Sequence, residues 1–457
     1  MPSYTAKIEP LQEPPCNRIQ SVTMNQTDPC PDLIWAEPWK LMKNWPSETP
    51  LLFLGGRGRY AMIAIDFFQV PPEEVMSKPL QATSQRSPGD PFSTGYWGLL
   101  SYDQFCDPVS EHHPAKEAIT YRVNQIILFD QKAKKLCLTK LRKPACDHRL
   151  LSPHYRLTRD KLKSLIIDSE SIRAGALSPA ELVPASSDEQ YLRDCENAVN
   201  DIKDGRFCQI NLLRYFGFSR PFSRAELIDR IQRWGGPFSA YWQTHTNCLA
   251  SFSPEQFIEL YPDQGSLKAL TRPIKGTIAR GLTPDSDAFQ IETLLRSKKD
   301  RKELHIIVDL MRNDLNRISQ KGSVNVLSAG EVHTFPSVHH LVAKIQSEVP
   351  VTTRLINFFS KVCPGGSITG APKKEVMKAI AEYEKRNRGY FMGNIFCLDD
   401  SGHLNSSILI RTMFSDQKTG NDCFQFEYAA GSGITINSIP REELKEIRTK
   451  CKPVTAE

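Results

Sequence analysis

Strand-like runs in this chain arrive in groups. LLFL (51–54), YAMIAIDFF (60–68), GYWGLLSYD (95–103), YRVNQIILFD (121–130) and KKLCLTKL (134–141) follow one another with turn residues between them. They alternate polar with apolar residues or are rich in β-branched and aromatic ones. The habit returns in FCQINLLRYFGF, FSAYWQ, CLASFSPEQFIELY and ALTRPIKGTIA, and again in YFMGNIFCLD, NSSILIRTMF and DCFQFEYAAGSGITI. A parallel sheet needs a crossover, usually a helix, between successive strands. Grouped strands argue against that and predict an α+β fold with large, mostly antiparallel sheets and helices outside.

Helices fill the gaps. SSDEQYLRDCENAVNDIKDG opens on a capping box, Ser186 to Glu189, and Gly205 stops it. Further helices are expected at 287–318, 372–386 and 441–452. Residues 1–50, rich in Pro and polar residues, read as a loosely ordered lead-in, 51–185 as an N-terminal region and 186–452 as a second region. There is no run of 18 apolar residues to span a membrane and no apolar segment of a secretory leader at the start. Twelve cysteines form no C-x-x-C and no zinc-like spacing, which fits reduced thiols in a cytoplasm. A formal charge of +6, spread along the chain, suits anionic small molecules and argues against nucleic acid.

The stretch TRPIKGT (271–277) sets Lys275 between a stiffening Pro273 and a permissive Gly276. Turn chemistry in PDQGS predicts a hairpin centred near 263–264, folding Glu255 back to the level of 272–274. A carboxyl and an amine then face one cavity. A lysine of ordinary pKa ~10.4 is neutral about once in 2,500 at pH 7, so a nucleophilic role asks for burial beside a second cation. KKDRKELHIIVDL puts Asp300 and Glu303 on one helix face, and REELKEI repeats the spacing with Glu443 and Glu446. Carboxylates without His or Cys suit Mg²⁺. CPGGSITGAPKK is a glycine loop leading into a helix, and AAGSGI reads as a second glycine turn whose amides could receive a carboxylate. Arg411, in ILIRT, offers a bidentate fork.

GRFCQINL, SPEQF, RPIKGT, KDRKELHIIVDLMRNDL, FPSVHHLV, CPGGSITGAPK, YEKRNRGYFMGNI, ILIRT and AAGSGITINSIPREELKEI occur in that order. Together they resemble the chorismate-binding enzyme family, strongly over 188–450 and more weakly before. That family includes anthranilate synthase large subunits, aminodeoxychorismate synthase component I, and isochorismate and salicylate synthases. The resemblance implies two large, mostly antiparallel β-sheets packed as a sandwich with helices outside. It makes 186–452 the chorismate-binding catalytic region.

Within the family, PIKGT looks like the aminodeoxychorismate-forming branch, because anthranilate-forming members generally carry alanine where Lys275 stands. Gln209 stands where the isochorismate and salicylate branches carry a lysine base. Carried over, the resemblance implies Lys275 as nucleophile, Glu255 as general acid, and Thr277 and His340 beside the ring. It implies Glu303 and Glu446 as Mg²⁺ ligands with Asp300 and Glu443 nearby. Tyr390, Arg411 and the backbone of Gly431, Ser432 and Gly433 would bind a substrate carboxylate. It also implies a glutamine amidotransferase partner supplying ammonia, since no G-x-C-x-G nucleophile motif is present. The family's LLxS element has Leu54 in place of serine, which argues against tryptophan binding. Two other readings are an anthranilate synthase component I with an atypical lysine and a catalytically silent scaffold that binds a glutaminase.

Overall fold

A computed structural model describes residues 27–455, apart from 30–34, 47–48, 57–58, 83–84, 86, 89, 107–114, 141–153, 174, 176, 335–337 and 421–422. Residues 1–26 of the expected lead-in lie outside it.

Two long strands, Tyr60–Val70 and Ile119–Asp130, pair at the centre. From the first, an arm runs through Leu51–Leu54, Ala240–Gln243, Cys248–Ser251, Thr412–Gly420 and Cys423–Thr435 to Gln209–Phe218. From the second, another runs through Gly95–Leu100, Asn394–Asp399, Leu404–Ile408, Gln256–Asp263 and Ser266–Thr271 to Val338–Val349. That last strand also pairs with Ile274–Ala279 and Asn325–Thr334. All of these pairings are antiparallel, as expected. The two expected sheets are the two arms, but they are continuous at one edge. The register of the central pair slips between Ala64 and Phe67, and such bulges bend and twist a strand, which lets one sheet turn back on itself.

Period-two burial shows how the first arm is covered. Leu51 and Phe53 join one core cluster, and Leu52 and Leu54 join the other. The first cluster takes Tyr191, Leu227, Val376 and Leu444 from the helices Asp188–Lys203, Arg224–Trp234, Lys373–Glu384 and Pro440–Thr455. The second takes the core of the other arm together with Leu304 and Ile307 of the helix Lys298–Asn316. The expected helix 287–318 is two helices, Pro284–Arg296 and Lys298–Asn316, because Ser297 ends one and caps the other.

The lead-in reading fails for 35–46. Pro38–Lys43 is a helix, and Leu41, Met42 and Trp45 are buried in the first cluster. Arg224 donates to the carbonyls of Trp45 and Pro46 at 3.1 and 3.0 Å. Nor do 51–185 stand apart, since their strands pair with Ala240–Gln243 and Asn394–Asp399.

Two of the links between arms, 252–255 and 409–411, are short. These crossovers are tied together: Phe252 N donates to the Arg411 carbonyl (3.0 Å), and Ile408 N donates to that of Glu255 (3.4 Å). Glu255 and Arg411 therefore sit side by side where the sheet changes arms.

Candidate active site

The hairpin carrying Glu255 and Lys275 forms as the turn residues require. Asp263 pairs with Ser266 around Gln264 and Gly265, both at positive φ (48° and 81°). Continued past Glu259–Leu270, that register puts Glu255 level with Ile274. One strand further, Lys275 stands opposite Leu341 and Thr277 opposite His340, with Gly276 as the extra residue of a bulge. Gly276 has φ +77°, and a Cβ there would lie 3.0 Å from the Asp300 side chain and from Leu294. Only glycine meets both demands. It lets the first turn of Lys298–Asn316 close on the strand, carrying Glu303 toward Lys275.

Electrostatics show which groups converge. Burial pushes the Glu255 carboxyl up to about 7, although Lys275, Arg411 and Lys450 and a hydrogen bond from Ser367 pull the other way. Burial also raises Glu303; Lys275 and Lys299 oppose it, and Asp300 and Glu446 add to it. For Glu446, burial acts upward, but Lys450, Lys275 and Lys299 outweigh it and leave the carboxyl below its ordinary range. Lys275 is thus felt by Glu255, Glu303 and Glu446 together. Among the described residues no hydrogen bond or ion pair engages the Lys275 amine or the Arg411 guanidinium. Arg411 itself sits at φ +50°, a conformation costing a non-glycine residue about 1–2 kcal/mol.

His340 and His339 divide as adjacent strand residues must. His339 is fully buried, bonded through Nδ1 to the Thr334 hydroxyl (2.9 Å) and through Nε2 to Asp287 (2.8 Å). His340 Nδ1 meets the Thr277 hydroxyl at 2.8 Å. Burial, against a hydrogen bond from the ring to the Gly276 backbone carbonyl, pushes it down to about 4, with Arg411 adding to the fall. His340 is therefore a neutral partner at pH 7.

Two expectations need revision. AAGSGI is not a turn: 431–433 lie inside the strand Cys423–Thr435, opposite Leu213, Leu212 and Asn211. Its glycines serve close approach, since a Cβ on Gly431 would lie 2.7 Å from Leu213 and 2.9 Å from Asn211 Oδ1. Past Ala429 this strand loses its partner Thr412–Gly420 and keeps only Gln209–Phe218. One edge therefore still presents backbone amides beside Arg411. The Ser432 hydroxyl turns away, bonding Tyr191 at 2.8 Å. Tyr390 is not brought to the cluster: its hydroxyl donates to the Glu117 carbonyl (2.7 Å), and its ring packs on Phe414. Glu443, 7% exposed, lies beside Tyr191 and Cys195.

Two groups went unnoticed in the sequence. Lys450 donates to the Gly431 carbonyl (2.7 Å) and pairs with Glu446 (2.6 Å). Ser367, in CPGGSITGAPK, bonds Glu255. The first was accessible from spacing, since Lys450 lies four residues, one helical turn, beyond Glu446; the second was not.

Among the described residues no three His, Cys, Asp or Glu side chains form a metal cage. The donor set still fits Mg²⁺: Glu303 and Glu446 are oxygen donors close enough to repel, and this ion commonly takes one or two carboxylates and keeps waters and substrate oxygens for the rest.

Comparison with known proteins agrees with this geometry. The profile described as chorismate binding enzyme matches residues 50–456. "Aminodeoxychorismate synthase component 1" of Salmonella typhimurium (strain LT2) is 31% identical over 428 residues, covering 91% of this chain and 87% of that protein. Its namesake from Klebsiella aerogenes is 36% identical over 261 residues, 57% of this chain and 56% of that one. In fold, anthranilate synthase component I from Streptococcus pneumoniae TIGR4 superposes with a TM-score of 0.68 at 22% identity, over 87% of this chain and 92% of that one. With a family profile running through nearly the whole sequence, the chain belongs to the chorismate binding enzymes.

Proposed function

We infer that this chain is the large component of an aminodeoxychorismate synthase, converting chorismate and ammonia to 4-amino-4-deoxychorismate on the route to para-aminobenzoate and folate. One observation carries the reading: Lys275 lies among Glu255, Glu303 and Glu446, on a strand bulged to aim it there. The named relatives support the same branch.

Chorismate is a dianion with a leaving hydroxyl at ring carbon 4. Mg²⁺, when bound by Glu303 and Glu446, supplies charge neutralisation at the ring carboxylate. Arg411, Lys450 and the open edge at 431–433 receive the other carboxylate. The Lys275 amine attacks carbon 2. Both ring double bonds shift, and the carbon 4 hydroxyl leaves as water with the proton of Glu255, whose raised pKa keeps it available near neutrality. Ammonia then attacks carbon 4 and expels the lysine amine by the reverse shift. The enolpyruvyl group is kept. Gln209 Oε1 and Asn211 Oδ1, both buried without a hydrogen-bond partner, offer acceptors and no base, which suits an N–H nucleophile better than water. Thr277 and neutral His340 form a hydrogen-bonded pair at the rim.

Ammonia comes in this reading from a separate glutamine amidotransferase, and the enzyme works in the cytoplasm. Among the described residues no helix is long and apolar enough to cross a membrane. Incubation of the purified chain with chorismate, Mg²⁺ and ammonium should yield 4-amino-4-deoxychorismate by mass spectrometry. Anthranilate with released pyruvate would overturn the assignment.

A further inference from the structure

A buried charged cluster lies behind the acid and the lysine and is used by neither step. Glu259 is 1% exposed and His403 0% exposed. Their Oε1 and Nε2 are 3.0 Å apart. The Phe92 ring stacks on His403 with centroids 4.0 Å apart. The other Glu259 oxygen accepts from Arg272 Nη1 at 3.1 Å. The same nitrogen donates to Gln256 Oε1, and Gln256 Nε2 donates back to Glu259 at 3.4 Å.

Position gives the cluster its meaning. Gln256 follows Glu255, and Arg272 precedes Lys275 by three residues. The backbone ladder between their strands ends at Glu259–Leu270. Beyond it each strand keeps only its outer partner, Gln256 pairing with Ser407 and Thr271 with Ile345. The strand Gln256–Asp263 shifts register between Gln256 and Ile258, and the following strand Ile274–Ala279 does so between Lys275 and Thr277. Direct backbone pairing between these strands therefore stops short of Glu255 and Lys275. Side chains bridge the gap instead: Arg272 reaches Gln256 and Glu259, and the Thr271 hydroxyl donates to the Phe257 carbonyl at 2.7 Å. A buried carboxylate is expensive, and apolar packing generally holds strands at lower cost. A charged cluster at the point where the ladder fails suits a demand for geometry rather than stability.

We propose that Arg272, through Glu259 and Gln256, is a positioning residue that sets the separation of Glu255 and Lys275 for the paired attack and protonation. The kinetic part rests on the aminodeoxychorismate synthase reading; the geometric part does not. Misplacing reacting groups by about 1 Å costs on the order of 100-fold in rate. Arg272→Met should accordingly lower kcat by about 30- to 100-fold per folded molecule, with KM for chorismate within about threefold of the parent. Arg272→Lys, which restores one of the two contacts, should recover about tenfold of that loss. Glu259→Gln keeps the acceptor without its charge and guards against a misfolded Met variant.

The independent measurement needs no turnover. Carbodiimide coupling of Glu255 to Lys275, read as an isopeptide by mass spectrometry, should fall at least several-fold in Arg272→Met while far-ultraviolet circular dichroism stays unchanged. An unchanged crosslink yield, or a kcat loss matching only the fraction unfolded, overturns the proposal. A parent protein inactive on chorismate would remove the functional reading, while the crosslink would still decide the clamp.

Discussion

The two walls of the site are built differently. On the first-arm side Gln209, Asn211, Ser432 and Glu443 are each at most 8% exposed, and the strand Gln209–Phe218 is buried along nearly its whole length. On the second-arm side no residue of Ile274–Ala279 is buried, and Thr277 is exposed. The neighbouring strand Asn325–Thr334 likewise has no buried residue. Arg411, Lys450 and the glycine edge, which fit binding, belong to the tight wall. Lys275, Thr277, His340 and Glu303, which fit chemistry, belong to the open one. Weak packing lowers local stability. The open wall can therefore adjust to substrate, and the tight wall provides a fixed seat.

The severest test of that division is Lys275→Ala. It should cut turnover with ammonium by about 1,000-fold, leaving chorismate affinity by calorimetry within about threefold, since the seat lies elsewhere. A comparable loss of affinity would erase the distinction. Glu255→Gln, at the crossover joining the walls, should cost about 100- to 1,000-fold. In the parent enzyme kcat/KM should fall as pH rises through about 7, where the acid loses its proton. A rate that rises there would remove Glu255 as the acid.

Gly276→Ala should be felt only on the open wall. A methyl group 3.0 Å from Asp300 in a left-handed conformation should lower stability by about 1–3 kcal/mol and turnover by about tenfold. Mg²⁺ with chorismate should stabilise the fold through ligand linkage by about 2.7 kcal/mol at a hundredfold excess over Kd, read as a higher Tm. Glu303→Gln and Glu446→Gln should each reduce that gain, because they reach the ion from opposite walls. The smallest effect is on stability against pH. Folded Glu255 holds its proton more tightly than the unfolded chain does, so the parent loses stability between about pH 4.5 and 7. The Glu255→Gln variant should gain Tm over the parent at pH 8 and gain none at pH 4.

Much of this was legible from residues alone. The hairpin followed from turn chemistry, though centred one residue later than the expected 263–264, and Gly276 marked a place where the backbone could turn. AAGSGI was misread because glycine serves a turn and a crowded strand equally well, and only the facing Leu213 and Asn211 tell them apart. Tyr390 was misplaced because it lies in a turn between Gly389 and Met392, both at positive φ (61° and 62°), where no alternation tells which way a side chain points. The helix Pro38–Lys43 was missed because six residues carry too little periodicity.

By itself the sequence determined the local pieces: which runs become strands, where helices start, and which residue types could do acid, amine and carboxylate chemistry. These follow from short-range sterics and the alternation of polar with apolar residues. The tertiary structure alone decided that Glu255 and Arg411 lie on neighbouring crossovers. It also turned Lys450 inward and Tyr390 aside, and it brought Glu303 and Glu446 together from helices about 140 residues apart. Such pairings depend on the bend of one continuous sheet, a sum of many small twists and bulges that no short stretch of sequence encodes.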